Sequence, residues 1–156
     1  MGHRLRGFIL LELLLFIVVL AVLVGVLSLT ATGTALRQAR QEGEALTQLL
    51  QSLRERAVLE DQDYGLHIVT EGYQLLRFVD ADWQLMKTAY RLPSGLYFNL
   101  ETKGQPGALS QAPEQPQILI LSSDQISVFT LSFETAMGQV LSISSNARGE
   151  LSMAEY

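Results

Sequence analysis

The apolar positions of the chain change their spacing twice. Residues 8–29 form an apolar run of 22 residues with one charge, Glu12. Between residues 30 and 60 the apolar positions follow the 3.6-residue helical period, and beyond Asp61 the period shortens towards two. This pattern predicts one long helix, apolar throughout at its start and amphipathic at its end, followed by short strands. The amphipathic stripe consists of Leu46, Leu49, Leu50, Leu53 and Ala57.

The region after the helix has the pattern of an antiparallel β-structure. Tyr64–Val69 and Tyr73–Asp80 flank Thr70-Glu71-Gly72, and this turn sequence predicts a hairpin. Residues 101–117 hold three prolines and two glycines, which predicts a long exposed loop. One helix packed against antiparallel sheets gives an α+β fold class. Further strands are predicted at Trp83–Lys87, at Leu96–Leu100, at Ile118–Leu121 as a central strand, at Phe129–Phe133, at Gln139–Ser144 and near Leu151.

The apolar run at residues 8–29 is long enough to cross a bilayer, which takes about 20 helical residues. His3, Arg4 and Arg6 precede it, so the positive-inside rule predicts a cytoplasmic N-terminus and a domain on the far side. A cleaved secretory signal is one alternative, with Gly33-Thr34-Ala35 as small residues for cleavage, but the run exceeds the usual apolar core of about 7–15 residues. A plain signal anchor is another, and it leaves Glu12 unexplained.

Glu12 is the most informative residue of this run. A carboxylate at membrane depth costs several kcal/mol unless it is paired, so it indicates a function. It can reach the interface from one turn into the run, or it can meet a cation. Cleavage between Gly7 and Phe8 would create an α-amino group four residues before Glu12, on the same helix face. The carboxylate would then meet its own terminus or that of a neighbouring subunit.

Composition and scattered polar residues exclude several classes of function. The chain has no cysteine and a formal net charge of −5, which argues against disulfides, thiolate metal sites and nucleic-acid binding. Its histidines, His3 and His67, have no catalytic companions in the sequence. The pairs Asp61/Asp63 and Asp80/Asp82 lack the spacing of a calcium loop and are typical of turns. We therefore predict a protein without enzymatic activity, cofactor or metal.

The stretch from Arg6 to Glu12 resembles the class III signal of type IV pilins and pseudopilins. The resemblance implies that a prepilin peptidase cuts after Gly7 and methylates the new N-terminus at Phe8. It also implies that Glu12 directs assembly of a helical filament. Ile9 departs from the family, which most often has threonine at this position.

Motifs in the rest of the chain resemble the minor pseudopilin H family of type II secretion systems. This resemblance implies a type IV pilin-like fold and a subunit near the tip of a pseudopilus that drives protein export across the outer membrane. The implied partners are other minor and major pseudopilins, the prepilin peptidase and inner membrane lipid. The motifs are Ala57-Val58-Leu59-Glu60, Tyr64-Gly65-Leu66-His67-Ile68, Gly72-Tyr73-Gln74-Leu75-Leu76-Arg77, Trp83-Gln84-Leu85, Arg91-Leu92-Pro93-Ser94-Gly95-Leu96 and Pro116-Gln117-Ile118-Leu119-Ile120-Leu121-Ser122-Ser123.

The predicted organisation has four parts and two alternatives. We expect a leader at 1–7, a transmembrane helix at 8–29, an amphipathic helix at 30–60 and a periplasmic β-rich domain at 61–156. The predicted location is the inner membrane, crossed once, with the N-terminus in the cytoplasm. A minor pilin of a type IV pilus shares the same N-terminal argument. A signal-anchored periplasmic binding domain, with Glu12 incidental, is the alternative from another class.

Overall fold

The computed structural model describes the backbone of residues 5–86, 89–103, 105–107, 109 and 115–156. Side chains are described over the same ranges except at 5–10, 23–32 and 105–106. The chain divides into two units, Met1–Thr34 and Ala35–Tyr156. The predicted leader therefore lies outside the described residues at 1–4, and the predicted span lies outside the described side chains at 8–10 and 23–29.

The helix of the described residues, α1, runs from Leu5 to Glu60 and belongs to both units. In the first unit the side chains at residues 11–22 are all exposed. Within the described part of the chain, no helix is long and apolar enough to cross a membrane.

The part of α1 in the second unit is amphipathic, as its spacing predicts. Leu46, Leu50, Leu53 and Ala57 are buried and Leu49 packs against them, so the predicted stripe is confirmed. The helix ends where the sequence predicts. The backbone of Asp61 enters the left-handed region with φ 49, and the amide of Gln62 returns to the carbonyl of Ala57 at 3.0 Å.

After the helix, the described residues form ten strands in two five-stranded sheets. The first sheet has the order β3-β2-β1-β7, and β4 also pairs with β2. The second has the order β10-β9-β8-β5-β6. The strands are β1 (Tyr64–Val69), β2 (Gly72–Val79), β3 (Asp82–Leu85), β4 (Tyr90–Arg91), β5 (Tyr97–Thr102), β6 (Gln105–Pro106), β7 (Ile118–Ile120), β8 (Phe129–Thr135), β9 (Gly138–Ser145) and β10 (Leu151–Glu155).

The predicted hairpin forms, but the predicted central strand does not lie at the centre of a sheet. β1 pairs antiparallel with β2 from Tyr64 opposite Arg77 to Val69 opposite Gly72, which confirms the first hairpin. β7 lies at the end of the first sheet, so its prediction as a central strand was wrong. Its residues are covered by the following loop instead of by another full strand. Ile120 forms an isolated bridge to Ile126, and the amide of Ser127 donates to the carbonyl oxygen of Leu119 at 2.9 Å.

The second sheet contains the strands predicted at Phe129–Phe133, at Gln139–Ser144 and near Leu151. β8 pairs antiparallel with β9, and β9 with β10. β5 continues to Thr102 and pairs with the short β6, so residues 101, 102, 105 and 106 are strand residues and not the loop that their composition predicts. Residues 104, 108 and 110–114 of that predicted loop lie outside the described backbone.

One apolar core joins α1 to both sheets. Phe98 of β5 and Phe133 of β8 meet edge to face within it, with 4.9 Å between ring centroids. Gly43 brings the helix close to the second sheet, since a Cβ there would lie 2.7 Å from Cδ2 of Leu141. Two glycines of the first sheet allow similar approaches. A Cβ on Gly65 would lie 2.4 Å from Pro116, and one on Gly72 would lie 1.9 Å from the carbonyl oxygen of Tyr90.

Candidate functional site

The candidate site predicted from the sequence lies at the start of α1. Gly7, Phe8 and Glu12 all belong to the helix, so the backbones of Phe8 and Glu12 are one turn apart on the same face. The Glu12 side chain is exposed, and the Phe8 side chain lies outside the described residues. The helix places the two positions as pairing requires. Cleavage after Gly7 and methylation of Phe8 remain predictions.

The helix around Glu12 exposes apolar side chains on every face. The exposed fraction is 66% for Leu11, 63% for Phe16 and 47% for Leu20. An apolar surface of this kind in water is unfavourable by about 25 cal/mol per Å². Contiguous apolar patches mark surfaces that bind lipid or protein. Residues 11–22 therefore form a surface suited to contact with lipid or with apolar groups of another protein.

In the second unit, Arg54 joins the C-terminal part of α1 to two loops. Its guanidinium donates to the carbonyl oxygen of Asp124 at 2.9 Å, to Oδ1 of Asp124 at 2.7 Å and to the carbonyl oxygen of Gly149 at 2.8 Å. The backbone carbonyls of both loops thus accept hydrogen bonds from a charged donor. Such bonds are stronger than bonds from a neutral donor. The arrangement is structural. Among the described residues no group of three or more His, Asp or Glu could hold a metal.

The predicted motif at the end of α1 forms a small polar network. Tyr64 of β1 donates a short hydrogen bond to Glu60, and Arg56 donates to Glu60 at 3.0 Å while lying over the Tyr64 ring. The bond from Tyr64, with a smaller effect of Arg56, lowers the pKa of Glu60. Burial and the bond to Glu60 raise the pKa of Tyr64. The network fixes the last turn of the helix on the first strand.

His67 has a structural environment, as the sequence predicts for a lone strand histidine. It is buried on β1, with Nδ1 3.1 Å from the carbonyl oxygen of Gln115.

The side-chain amide of Gln117 bonds both backbone groups of Ile68, accepting from the amide at 2.8 Å and donating to the carbonyl oxygen at 3.1 Å. The amide group of Gln117 thereby takes the place of a strand neighbour on β1.

Tyr90 of β4 forms a further tie between the first sheet and the helix. Its hydroxyl donates to Oε2 of Glu42 at 2.6 Å, and its ring stacks on Tyr73 with centroids 5.0 Å apart. The hydrogen bond to Glu42, with burial second, raises the pKa of Tyr90 to about 12. Neither residue has a sequence signal for this contact, because they are 48 positions apart.

The Tyr90–Glu42 bond makes stability fall at alkaline pH. Since the folded pKa exceeds the ordinary tyrosine value of about 10, the bond's contribution is complete below pH 10 and is lost as the pH rises towards about 12. Tyr90→Phe should unfold more easily at pH 8 yet lose less stability between pH 10 and 12. The free energy of unfolding, measured with urea at pH values from 8 to 12, tests this prediction. Glu42→Gln should flatten the profile similarly, and an unchanged slope in both variants would contradict the assignment.

The chain is similar to two curated relatives of the same name. It is 36% identical over 157 residues to Type II secretion system protein H of Pseudomonas aeruginosa, covering 90% of this chain and 91% of that protein. It is 29% identical to Type II secretion system protein H of Vibrio cholerae, covering 81% of each. No family model matches the chain.

Solved structures share the fold. The minor pseudopilin EpsH from the type 2 secretion system of Vibrio cholerae matches with a TM-score of 0.65 and 24% identity, over 76% of this chain and 96% of that one. Escherichia coli GspH matches with a TM-score of 0.65 and 20% identity, over 78% and 90%. The predicted α+β pilin-like fold and the predicted resemblance are both confirmed. The chain belongs to the family of type II secretion system protein H, a minor pseudopilin.

Proposed function

We propose that this pseudopilin is a structural subunit near the tip of a periplasmic pseudopilus, which drives export of folded proteins across the outer membrane. The observation that carries the proposal is the similarity to protein H over nine-tenths of the chain. The exposed apolar segment at residues 11–22 supports it, because a filament core of packed helices would cover such a surface. The protein's role would be mechanical and architectural, with no reaction to catalyse.

Residues 8–29 anchor the subunit in the inner membrane before assembly. The support is the 22-residue apolar run in the sequence and the basic residues Arg4 and Arg6 before it. They support a topology with residues 1–7 in the cytoplasm and the second unit in the periplasm. Inner membrane lipid covers the helix at this stage, and other minor and major pseudopilins cover it after assembly.

Processing and pairing occur at the start of the helix. The prepilin peptidase cuts between Gly7 and Phe8 and methylates the amine of Phe8. Glu12 then meets an amine, either its own or that of a neighbour, and the subunit settles where its carboxylate is paired. In any other register of the subunit in the filament, the Glu12 carboxylate would be unpaired in an apolar environment, which costs free energy. Glu12 therefore selects the register more than it adds affinity.

The mass and sequence of the mature N-terminus test the proposal. The protein should be purified from the membrane of cells with an intact secretion system, and its N-terminal peptide measured by mass spectrometry. The expected peptide begins with N-methylated Phe8. Gly7→Ile should keep the full leader, because a branched side chain replaces glycine at the cleavage site. A mature chain beginning at Leu36, or an uncut Met1 in the wild type, would overturn the proposal.

A further inference from the structure

The second unit is joined to the apolar run at the start of its own part of α1. Its first residue, Ala35, comes six positions after Leu29, so these two backbones are at most about 22 Å apart. Within the second unit α1 continues to Glu60, about 38 Å farther along the helix axis. If residues 8–29 lie in a membrane, the side chains around the start of the second unit are therefore tethered close to its surface.

Two contacts with the first turns of this part of α1 show which strands end beside it. Arg40 forms an ion pair with Glu155 of β10, with 2.6 Å between Nη2 and Oε1. The hydroxyl of Tyr90 in β4 donates to Glu42 at 2.6 Å. The end of β10 and the short strand β4 therefore lie at the tethered end of the domain.

The turn between β8 and β9 lies at the same end. The turn after β9 meets α1 at Arg54 through the carbonyl oxygen of Gly149, whereas Leu141, near the start of β9, meets α1 at Gly43. Going back along β9 towards its first residue thus leads towards the start of the second unit. Met137, in the turn that precedes β9, lies farther still in this direction.

Two more tyrosines belong to this end. Tyr97 of β5 is opposite Glu134 in the register, one residue before the end of β8. Tyr156 follows the last residue of β10, and its amide donates to the carbonyl oxygen of Val140 at 3.1 Å. We define the tyrosine rim as four exposed side chains, with exposed fractions of 40%, 40%, 71% and 72%: Tyr90, Tyr97, Met137 and Tyr156.

The side chains of the tyrosine rim have the chemistry of a membrane–water interface. Tyr73 stacks on Tyr90, so four of the five tyrosines of the chain lie at this end, and Tyr64 lies beside Glu60 at the other. Tyrosine combines an apolar ring with a hydroxyl that stays hydrated, and it is enriched at the level of lipid headgroups. Met137 adds an exposed apolar side chain between the tyrosines.

Charges of both signs surround the rim. Arg37 and Arg91 are exposed, and so is Glu71. Glu134 accepts a hydrogen bond from Nδ2 of Asn99 at 2.9 Å, and two further acids of this end take part in the contacts with Arg40 and Tyr90 described above. Such a surface suits a zwitterionic headgroup layer, which offers a phosphate to each guanidinium and an amine to each carboxylate.

We propose that the tyrosine rim docks on the headgroup layer of the inner membrane, so that the folded domain lies on the bilayer before assembly. The proposal rests on the proposed function, which puts residues 8–29 in that membrane. The short connection raises the effective concentration of the rim at the bilayer, so weak contacts of a few side chains suffice. Assembly of the subunit into the filament would then break these contacts.

Fluorescence quenching by labelled lipid tests the docking. The chain has no cysteine, so single cysteines can carry a nitrobenzoxadiazole fluorophore at chosen positions. The full chain is reconstituted in vesicles of phosphatidylethanolamine and phosphatidylcholine, some of it with a nitroxide on the headgroup. Met137→Cys places the label in the rim, and Leu59→Cys places it at the other end of α1, where the side chain is 84% exposed. Stronger quenching at position 59 than at position 137 would overturn the proposal.

Removing the rings is the decisive step, because the connection alone brings position 137 near the bilayer. Tyr97→Ser with Tyr156→Ser should lower quenching at position 137 at least about twofold, since a tethered surface docks according to its own affinity. Tyr156→Ser alone should give a smaller fall. Leu85→Ser with Val128→Ser is the matched control, at side chains 52% and 45% exposed away from the rim. Unchanged quenching in both tyrosine variants, or an equal fall in the control, would contradict the docking.

A third label separates this inference from the proposed function. Leu20→Cys lies in the apolar run, where a lipid with the nitroxide on its acyl chain should quench the label. If position 20 is quenched and the tyrosine variants have no effect at position 137, the subunit is anchored and the rim is not docked. If position 20 is not quenched, the anchoring assumed in the proposed function itself fails.

Discussion

Glu12→Ala is expected to be cut after Gly7 as efficiently as the wild type and then to fail in assembly. Cleavage depends on the leader and on Gly7, whereas pairing depends on the carboxylate one helical turn beyond Phe8. Loss of a charge pair at membrane depth, at about 2 kcal/mol or more, corresponds to at least a roughly thirtyfold loss of the assembled state. Protein secretion into the medium and co-purification with other pseudopilins measure the effect.

Two variants make the test of Glu12 specific to its charge. Glu12→Gln keeps the shape and removes the charge, so it should fail nearly as completely as Glu12→Ala. Glu44→Gln removes an exposed carboxylate from α1 outside the apolar segment 11–22, so secretion should stay within about twofold of wild type. If Glu12→Gln secretes as well as the wild type, pairing of a charged carboxylate is not what positions the subunit.

Gly72→Ala is expected to cause the largest loss of stability in the folded domain. The added Cβ would lie 1.9 Å from the carbonyl oxygen of Tyr90 and 3.1 Å from the Cα of Arg91, both of them backbone atoms. The two strands must move apart, which removes the pairing of β4 with β2 and strains the Tyr90–Glu42 bond. We expect the free energy of unfolding to fall by roughly 2–3 kcal/mol in urea denaturation.

Gly33→Ala is the matched control for this substitution. It makes the same chemical change on α1, where nothing lies within 4 Å of the new Cβ. Helix propensity favours alanine over glycine by about 1 kcal/mol, so this variant should be as stable as the wild type or slightly more stable. A Gly72→Ala chain that unfolds within about 0.5 kcal/mol of the wild type would show that β4 contributes little to the fold.

The sequence predicted those elements whose signals are local. The leucine stripe and the turn at Thr70-Glu71-Gly72 placed the helix face and the β1–β2 hairpin correctly, because each depends on residues within a few positions of one another. The position of β7 was wrong for a physical reason. A run of apolar residues reports burial of the side chains, but it does not report which backbone edges are paired.

Contacts between distant segments carried no sequence signal. Arg54 donates to carbonyl oxygens 70 and 95 positions away in the chain. Its position outside the leucine stripe of α1 is that of an ordinary polar residue, so the sequence does not indicate these bonds. The short strands β4 and β6 have two residues each, too few for any period to show. At the candidate site, Gly7, Phe8 and Glu12 remain predictions, because their proposed chemistry involves a peptidase and neighbouring subunits.

The amide of Gln117 has a consequence for solubility. Open sheet edges recruit other strands and lead to aggregation. Past the end of β7, the edge of β1 at Ile68 is occupied by the Gln117 side chain, and the edge of β7 at Leu119 is occupied by Ser127, whose amide donates at 2.9 Å. These two side-chain and loop contacts therefore prevent this side of the first sheet from pairing with a strand of a second molecule.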